Sequence, residues 1–403
     1  MPDHPAAAWR LVCALGVAQI VSWGSLFYAF ALLQLPLRQQ LGAGPAEVVG
    51  AFSLALLVAG LLSAPAGRWI DRHGGRALMS LGSLAAGLLL ALLPWVQNLA
   101  QLYLLWAGLG AAMAATLYDP AFAVLARLFR SGPRTAITVL TLFGGFASTV
   151  FWPLTQLLID HFGWRGALWA LAVINLLVCL PIHAWLLPGA HPEHPSTGET
   201  PAANPPRTGW RALLARPGFA WLCAAFTANT LVFSALSVHL LPLLASRGLS
   251  ARDAAWVGAL IGPMQVLGRL VEFFALRSLR PSSVGALTLW LLPASLLALP
   301  AIDGASGLGT SALLFALLYG AGNGLMTIVR GALPAELWGR EDYGAINGAL
   351  ATPVLLAKAA GPLAAAALLN WAAPLQLMLG MAGLGALAAI VFAQALRDHH
   401  RRH

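Results

Sequence analysis

Long apolar runs recur from one end of the chain to the other, and no other feature restricts its folding so much. Leu11–Leu33, Val48–Ser63 and Leu375–Leu396 are three of them. A helix needs about 20 such residues to cross the hydrocarbon core of a bilayer. The runs show no strand-period alternation, which argues against a β-barrel. Only 9% of residues are charged and 59% are hydrophobic. A soluble domain carries about 25% charged residues. A chain this poor in charge lacks the polar surface for a globule in water, so its solvent is lipid.

Loop signals divide the runs into twelve expected spans: 9–35, 47–68, 77–96, 100–128, 135–160, 166–187, 218–245, 253–276, 283–302, 308–332, 344–369 and 373–396. The first run is too long for a signal-peptide core and no small-residue cleavage site follows it, so it reads as span one. Pro188–Pro217 is rich in Pro, Ser, Thr and Ala and has no helical period, the composition of a solvated linker. The expected organisation is therefore a six-helix bundle over 1–187, a cytoplasmic linker over 188–217 and a second six-helix bundle over 218–403. Sixteen arginines, among them Arg10, Arg68, Arg72, Arg76, Arg127, Arg216, Arg280 and Arg397, fall on one side, against Arg38, Arg165, Arg247 and Arg252 on the other. The positive-inside rule then puts both termini and the linker in the cytoplasm, as in a bacterial-type inner membrane. The net charge of +9 is thereby a topology signal and not a nucleic-acid one. The three cysteines, Cys13, Cys179 and Cys223, lie in apolar runs at spacings that suit neither a metal nor a disulfide framework, and read as buried small hydrophobes. No metal and no cofactor is expected.

The halves echo one another. Leu35-Pro36-Leu37 ends span one and Leu241-Pro242-Leu243 ends span seven; Pro153-Leu154 and Pro362-Leu363 lie in spans five and eleven, at offsets of 206 and 209 residues. A parallel duplication explains both. After span two comes Gly67-Arg68-Trp69-Ile70-Asp71-Arg72-His73-Gly74-Gly75-Arg76. It resembles the loop signature of the major facilitator superfamily, at the place where that signature belongs. The resemblance implies an all-α membrane protein with the major facilitator fold, twelve transmembrane helices in two pseudo-symmetric six-helix bundles, acting as a monomer. It also implies a gating role for Gly67, Asp71, Arg72, Gly74 and Arg76. Physically, Gly67 is expected to allow close helix approach, Asp71 to pair or cap across an interface, and Gly74 to permit a sharp turn. Gly163-Trp164-Arg165 before span six fits a second facilitator pattern. The drug/proton antiporter motif of span five is not found, because Leu142–Gln156 has its glycines and proline in the wrong order.

Ionisable groups inside spans are functional hypotheses by default. Lys358, central in span eleven, is the only lysine among 23 basic residues. Arg269 in span eight lies eight residues before Arg277, about 12 Å deeper, with Glu272 three residues on. Asp119 precedes Pro120 in span four, where the proline frees a backbone carbonyl. Arg330 lies in the matching region of span ten. Asp119 and Glu272 are candidate proton carriers, and Asp119 with Arg330 a candidate gate pair. His239 reads as an interfacial residue. An arginine on span eight with a lysine on span eleven resembles the carboxylate-binding pair of the oxalate:formate antiporter branch of the monocarboxylate porters, as do Gly268-Arg269, Lys358-Ala-Ala-Gly361-Pro362 and the Leu-Pro-Leu after Tyr28. The span-one lysine of animal monocarboxylate porters has no match, and Gln265 stands where their acidic residue precedes the arginine.

The expected function is alternating-access transport of a small organic anion, a mono- or dicarboxylate, by proton symport or anion exchange. Arg269 and Lys358 hold the anion, and Tyr28, Tyr118, Gln265 and Asn323 shape the site. The other readings are efflux of a drug or another metabolite, and a transporter-like sensor. The spans hold no cluster of groups at catalytic spacing, so an enzyme is not expected.

Overall fold

The structure, a computed structural model, describes residues 5–129, 133–188, 213–276, 279–302, 309–339 and 343–401. Most of the expected linker, with Arg207 and Arg211, lies outside the described residues. So do Arg130, Arg277, Arg340 and Arg402. Among the described residues every regular element is helical, and eleven helices are long and apolar enough to cross a membrane. One of them, Thr135–Leu186, runs for 52 residues, about 78 Å at 1.5 Å per residue. That is more than twice a hydrocarbon core of about 30 Å. Gly163, at φ 67 and ψ 170, breaks it in the middle. The described spans therefore number twelve: α1 (Ala8–Leu41), α2 (Pro45–Ile70), α3 (Arg76–Trp95), α4 (Leu99–Leu128), α5 and α6 (the parts of Thr135–Leu186 before and after Gly163), α7 (Phe219–Ala245), α8 (Ala251–Leu276), α9 (Pro281–Ala301), α10 (Thr310–Trp338), α11 (Ile346–Leu368) and α12 (Pro374–Arg401). Contacts group the chain into two compact units, Met1–Pro192 with Ala254–Gly262, and Glu193–Asp253 with Pro263–His403.

In the first unit, small residues set the helix spacing. Apolar side chains gain little by leaving lipid, so helices associate through close packing and hydrogen bonds. A Cβ at Gly16 would lie 2.5 Å from the Phe143 ring, and one at Gly24 would lie 2.0 Å from the Phe151 ring. Equal steps of eight residues on both helices require α1 and α5 to run in the same direction, as two odd-numbered spans must. Gly110 brings α4 onto α2, where an added Cβ would be 2.3 Å from the Ala55 carbonyl oxygen. Phe30 stacks on Phe52 at 4.4 Å, and Trp106 meets both edge-on at 5.0 and 5.3 Å. Polar groups are paired across helices. Asn175, Cys179 and His183, four residues apart on one face of α6, meet Ser25, Ser22 and Ser83 at 2.7, 3.5 and 2.7 Å. Cys179 is buried as expected, but Cys13 is exposed and Cys223 half-buried. An outward-facing thiol costs little where the neighbour is lipid.

In the second unit, α7 packs along α11. Pro362 has no N–H, so the Lys358 carbonyl four residues earlier loses its helical partner. The Ser234 hydroxyl donates to that carbonyl. One turn on, His239 Nε2 donates to the Pro362 carbonyl at 2.9 Å. Gly361 makes this approach possible, since an added Cβ would be 2.5 Å from the Leu231 carbonyl oxygen. His239 is 2% exposed. The expectation of an interfacial histidine is therefore wrong: the residue is buried as a helix-to-helix donor. On α9, the N-terminal Ser282 gives both its N–H and its hydroxyl to the Glu336 carboxylate, at 2.8 and 2.7 Å. On α12, Asp398 accepts the Gly218 N–H at 2.8 Å.

Candidate functional site

The loop after α2 is a turn clamped within the first unit. The helix of α2 continues to His73, and Gly74 leaves it at φ 78 with its N–H on the Ile70 carbonyl at 2.8 Å. That φ favours glycine, so the turn expected at Gly74 is present. The Arg127 guanidinium also donates to the Ile70 carbonyl at 2.8 Å. Arg76 donates through Nε to the Ala184 carbonyl and so ties the start of α3 to the end of α6. Arg72 is exposed. The Asp71 side chain lies outside the described residues. Close helix approach does not occur at Gly67 within this unit, where an added Cβ would meet nothing within 4 Å; it occurs at Gly75, 2.2 Å from Val124. The glycine that packs is the one after the turn, because α3 begins there against α4.

Two helix interruptions position the expected residues of this unit. A π-turn over Gly24–Tyr28 divides α1. Beyond it the Leu32 N–H goes to Ala29 at 3.1 Å, which leaves the Tyr28 carbonyl for the Trp152 indole N–H at 2.9 Å. In α4, Leu117 is non-helical at φ −79 and ψ −156, immediately before Tyr118, Asp119 and Pro120. The Thr116 carbonyl, four residues before Pro120, receives the Gln19 amide at 2.8 Å. Tyr118 fits because Gly144 has no side chain: a Cβ there would be 2.1 Å from the tyrosine hydroxyl. Trp23 joins Tyr118 to the α1 rings, with centroids 5.0 Å from Tyr118 and 5.3 Å from Phe27, and Phe27 lies 5.2 Å from Tyr28. Asp119 is exposed and accepts the Ser63 hydroxyl from α2.

In the second unit, Gln265, Arg269 and Asn323 come together where α8 crosses α10. A Cβ at Gly324 would be 2.3 Å from the Gln265 carbonyl oxygen, and one at Gly268 would be 2.8 Å from the Ala321 Cα. This close crossing brings Arg269 Nη2 to the Thr327 hydroxyl at 3.4 Å, and that hydroxyl donates to the Asn323 carbonyl at 3.1 Å. Gln265 is buried, while Arg269, Asn323, Glu272 and Lys358 are half-buried. Glu272 opens a π-turn, Glu272–Leu276, at the end of α8. Arg330 lies over the Phe226 ring at 5.9 Å. Lys358 is on α11, twelve residues after Ile346 and ten before Leu368. The expected gate partners have partners of their own kind in each unit, Ser63 for Asp119 and Phe226 for Arg330.

Sequence reading missed Ser63, Trp152, Ser234 and Thr327. For Ser234 a signal existed: Pro362 announces a carbonyl in need of a donor. For Thr327, the signal was its position one turn after Asn323 on the same face.

The sequence pattern of the Major Facilitator Superfamily matches residues 15–304. Monocarboxylate transporter 11 of Homo sapiens is 30% identical over 276 residues, covering 66% of this chain and 56% of the relative. Monocarboxylate transporter 12 of Xenopus laevis is 26% identical over 229 residues, 52% of this chain and 50% of the relative. The chain spans about half the length of the curated relatives it matches. Among solved structures, a mutant of the nucleoside transporter NupG superposes with a TM-score of 0.77 at 14% identity, covering 96% of this chain and 99% of that one. A likeness at that identity speaks for the fold alone. Two comparisons of different kinds thus agree with the twelve helices and the loop after α2: the chain belongs to the Major Facilitator Superfamily.

Proposed function

We propose that the protein is a secondary transporter of a small organic anion, a mono- or dicarboxylate, in an inner membrane with both termini cytoplasmic. Arg269 and Lys358 are the groups that balance the anion's charge. The carrying observation is their depth: Lys358 is about 15 Å from the nearer end of α11, and Arg269 is seven residues from the end of α8. Ionisable groups that deep in a span are rare and mark substrate or ion pathways. The names of the relatives point the same way, since they are monocarboxylate transporters. Gln265 and Asn323 beside Arg269 supply neutral hydrogen-bonding groups, and Tyr28 and Tyr118 shape the site from the first unit. Asp119 or Glu272 carries a coupling proton, or the cycle is an anion exchange. Asp119 and Arg330 form a gate that opens as the two bundles rock about the site.

The experiment is uptake and counterflow in proteoliposomes over a panel of mono- and dicarboxylates. Lys358→Gln and Arg269→Gln are each expected to reduce carboxylate transport roughly 10- to 100-fold, the scale of a lost charge-assisted hydrogen bond. Undiminished transport in both variants removes the proposed site.

A further inference from the structure

Within the first unit, α3 and α6 run antiparallel beside each other, and four contacts mark the length they share. Arg76 donates through Nε to the Ala184 carbonyl, the Ser83 hydroxyl lies 2.7 Å from His183 Nδ1, and the Trp169 indole N–H donates to the Ala91 carbonyl at 3.2 Å. Between the last two, Gly87 admits Leu176, whose Cγ would be 2.5 Å from an added Cβ. Residue numbers rise on α3 as they fall on α6, so one seam joins the two helices from end to end.

The outer side of the pair is apolar and open. Leu81, Leu84 and Leu88 on α3 are exposed, at steps of three and four residues, and so are Val173 and Leu177 on α6, at a step of four. Those spacings put side chains on one face of a helix. An open apolar face of this length calls for a cover, and lipid fits it. Tryptophans stand at its two ends. Trp185 at one is 75% exposed, and Trp95 at the other is 68% exposed, with its ring centroid 6.2 Å from that of Trp169. Aromatic belts of this kind mark the two membrane interfaces. The 20 residues of α3 span about 30 Å, the thickness of one hydrocarbon core.

The two ends differ in charge. At the Trp95 end, 96–98 carries none. Arg165, where α6 begins, is engaged elsewhere: it lies over the Trp164 ring at 4.8 Å and donates to Gln40 Oε1 at 2.8 Å. At the other end stands Arg76. Pro188 has no N–H, so the Ala184 carbonyl four residues earlier lacks its helical partner, and Arg76 Nε takes that place. A guanidinium carries five N–H donors in a rigid fork. With Nε fixed across the seam, the other four are held one residue from Trp185, on a side chain that is exposed. The described carboxylates of this unit are occupied away from it: Glu47 by the Gly44 N–H at 2.7 Å, Asp119 by Ser63, and Asp160 by Gln156 at 2.7 Å. Topology asks for a positive charge at this end but not for a fixed fork.

We infer that the outer face of α3 and α6 is a binding site for an anionic phospholipid. Its phosphate sits on the Arg76 fork, and an acyl chain runs along Leu81, Leu84 and Leu88. The fork matches two phosphate oxygens at once, and basic seams between membrane helices favour anionic headgroups. A zwitterionic lipid offers the same phosphate but brings its own cation. The site adds a lipid to the molecule and does not depend on which substrate is transported.

The test uses the full chain in detergent and two lipids with identical brominated chains, phosphatidylglycerol and phosphatidylcholine. The readout is the quenching of Trp185, taken as the difference from Trp185→Phe. Phosphatidylglycerol is expected to reach half-quenching at about fivefold lower concentration, the scale of one arginine at a membrane surface. Arg76→Gln should bring the two lipids together, and Arg165→Gln should leave the fivefold ratio in place. Arg76→Lys keeps the charge without the fork and should retain part of the preference, which reports on the site even if the glutamine variant fails to fold. Excess inorganic phosphate should not displace the lipid. Equal quenching by the two lipids in the unmodified protein overturns the inference, as does a preference that survives Arg76→Gln. Displacement by phosphate also overturns it, since the chains would then add nothing. A dimer in which neither lipid quenches Trp185 would mean that a second copy covers the face, and removes the site as well.

Discussion

Ser234 shows how a single hydroxyl can decide the placement of a charged residue. Pro362 leaves the Lys358 carbonyl without its helical N–H, and Ser234 supplies the missing donor from α7. A buried carbonyl left unmet costs about 1–3 kcal/mol. Ser234→Ala is therefore expected to lower stability by about 1 kcal/mol, measured by thermal unfolding in detergent, and to weaken anion binding through Lys358. In a Pro362→Ala background the helix bonds its own carbonyl, and Ser234→Ala should then cost little. Strictly additive effects of the two substitutions would show that the hydroxyl does not serve that carbonyl. The proline and the lysine were both visible in the sequence, four residues apart, and the vacancy between them follows from covalent structure alone. The donor was not visible, because a serine 124 residues away carries no mark of which helix it will face.

Spans were legible because the bilayer admits only helices of about 20 apolar residues, and the turn after α2 because Gly74 holds a φ of 78 that favours glycine. The π-turns at Gly24–Tyr28 and Glu272–Leu276 were not legible. Nothing in GSLFY or EFFAL differs from ordinary helix-forming sequence, and the extra residue per turn is set by neighbouring helices. Glycine packing was legible in kind but not in place: within its own unit Gly67 meets no neighbouring helix, whereas Gly75, Gly110 and Gly361 bring helices together. The distinction is measurable. Gly110→Ala drives a methyl to 2.3 Å from the Ala55 carbonyl oxygen, and backbone cannot yield as a side chain can. The expected loss is about 1–3 kcal/mol. Gly383→Ala on α12, where a Cβ meets nothing within 4 Å, should be neutral or stabilise by about 0.5–1 kcal/mol through better helix propensity. Similar midpoints for the two variants would mean that the α2–α4 crossing does not have the closeness described.

For the molecule as a whole, the arginine distribution makes a claim about orientation that the helices alone do not. Within the first unit, α3 separates two short turns, one at His73–Gly75 and one at Val96–Asn98. Arg68, Arg72 and Arg76 crowd the first turn, whereas 96–98 carries no charge. The membrane potential and the insertion machinery retain arginine on the cytoplasmic side, so the proposed orientation puts the first turn inside and the second outside. Both His73 and Gln97 are exposed, which makes them suitable for labelling. In a Cys13→Ala, Cys223→Ala background, with the buried Cys179 kept, a membrane-impermeant maleimide applied to intact cells should label Gln97→Cys and spare His73→Cys. Lysis should expose both. The opposite pattern would invert every span. It would also turn the Arg76–Ala184 clamp towards the outside, so that the turn after α2 could not act at the cytoplasmic end of the proposed transport cycle.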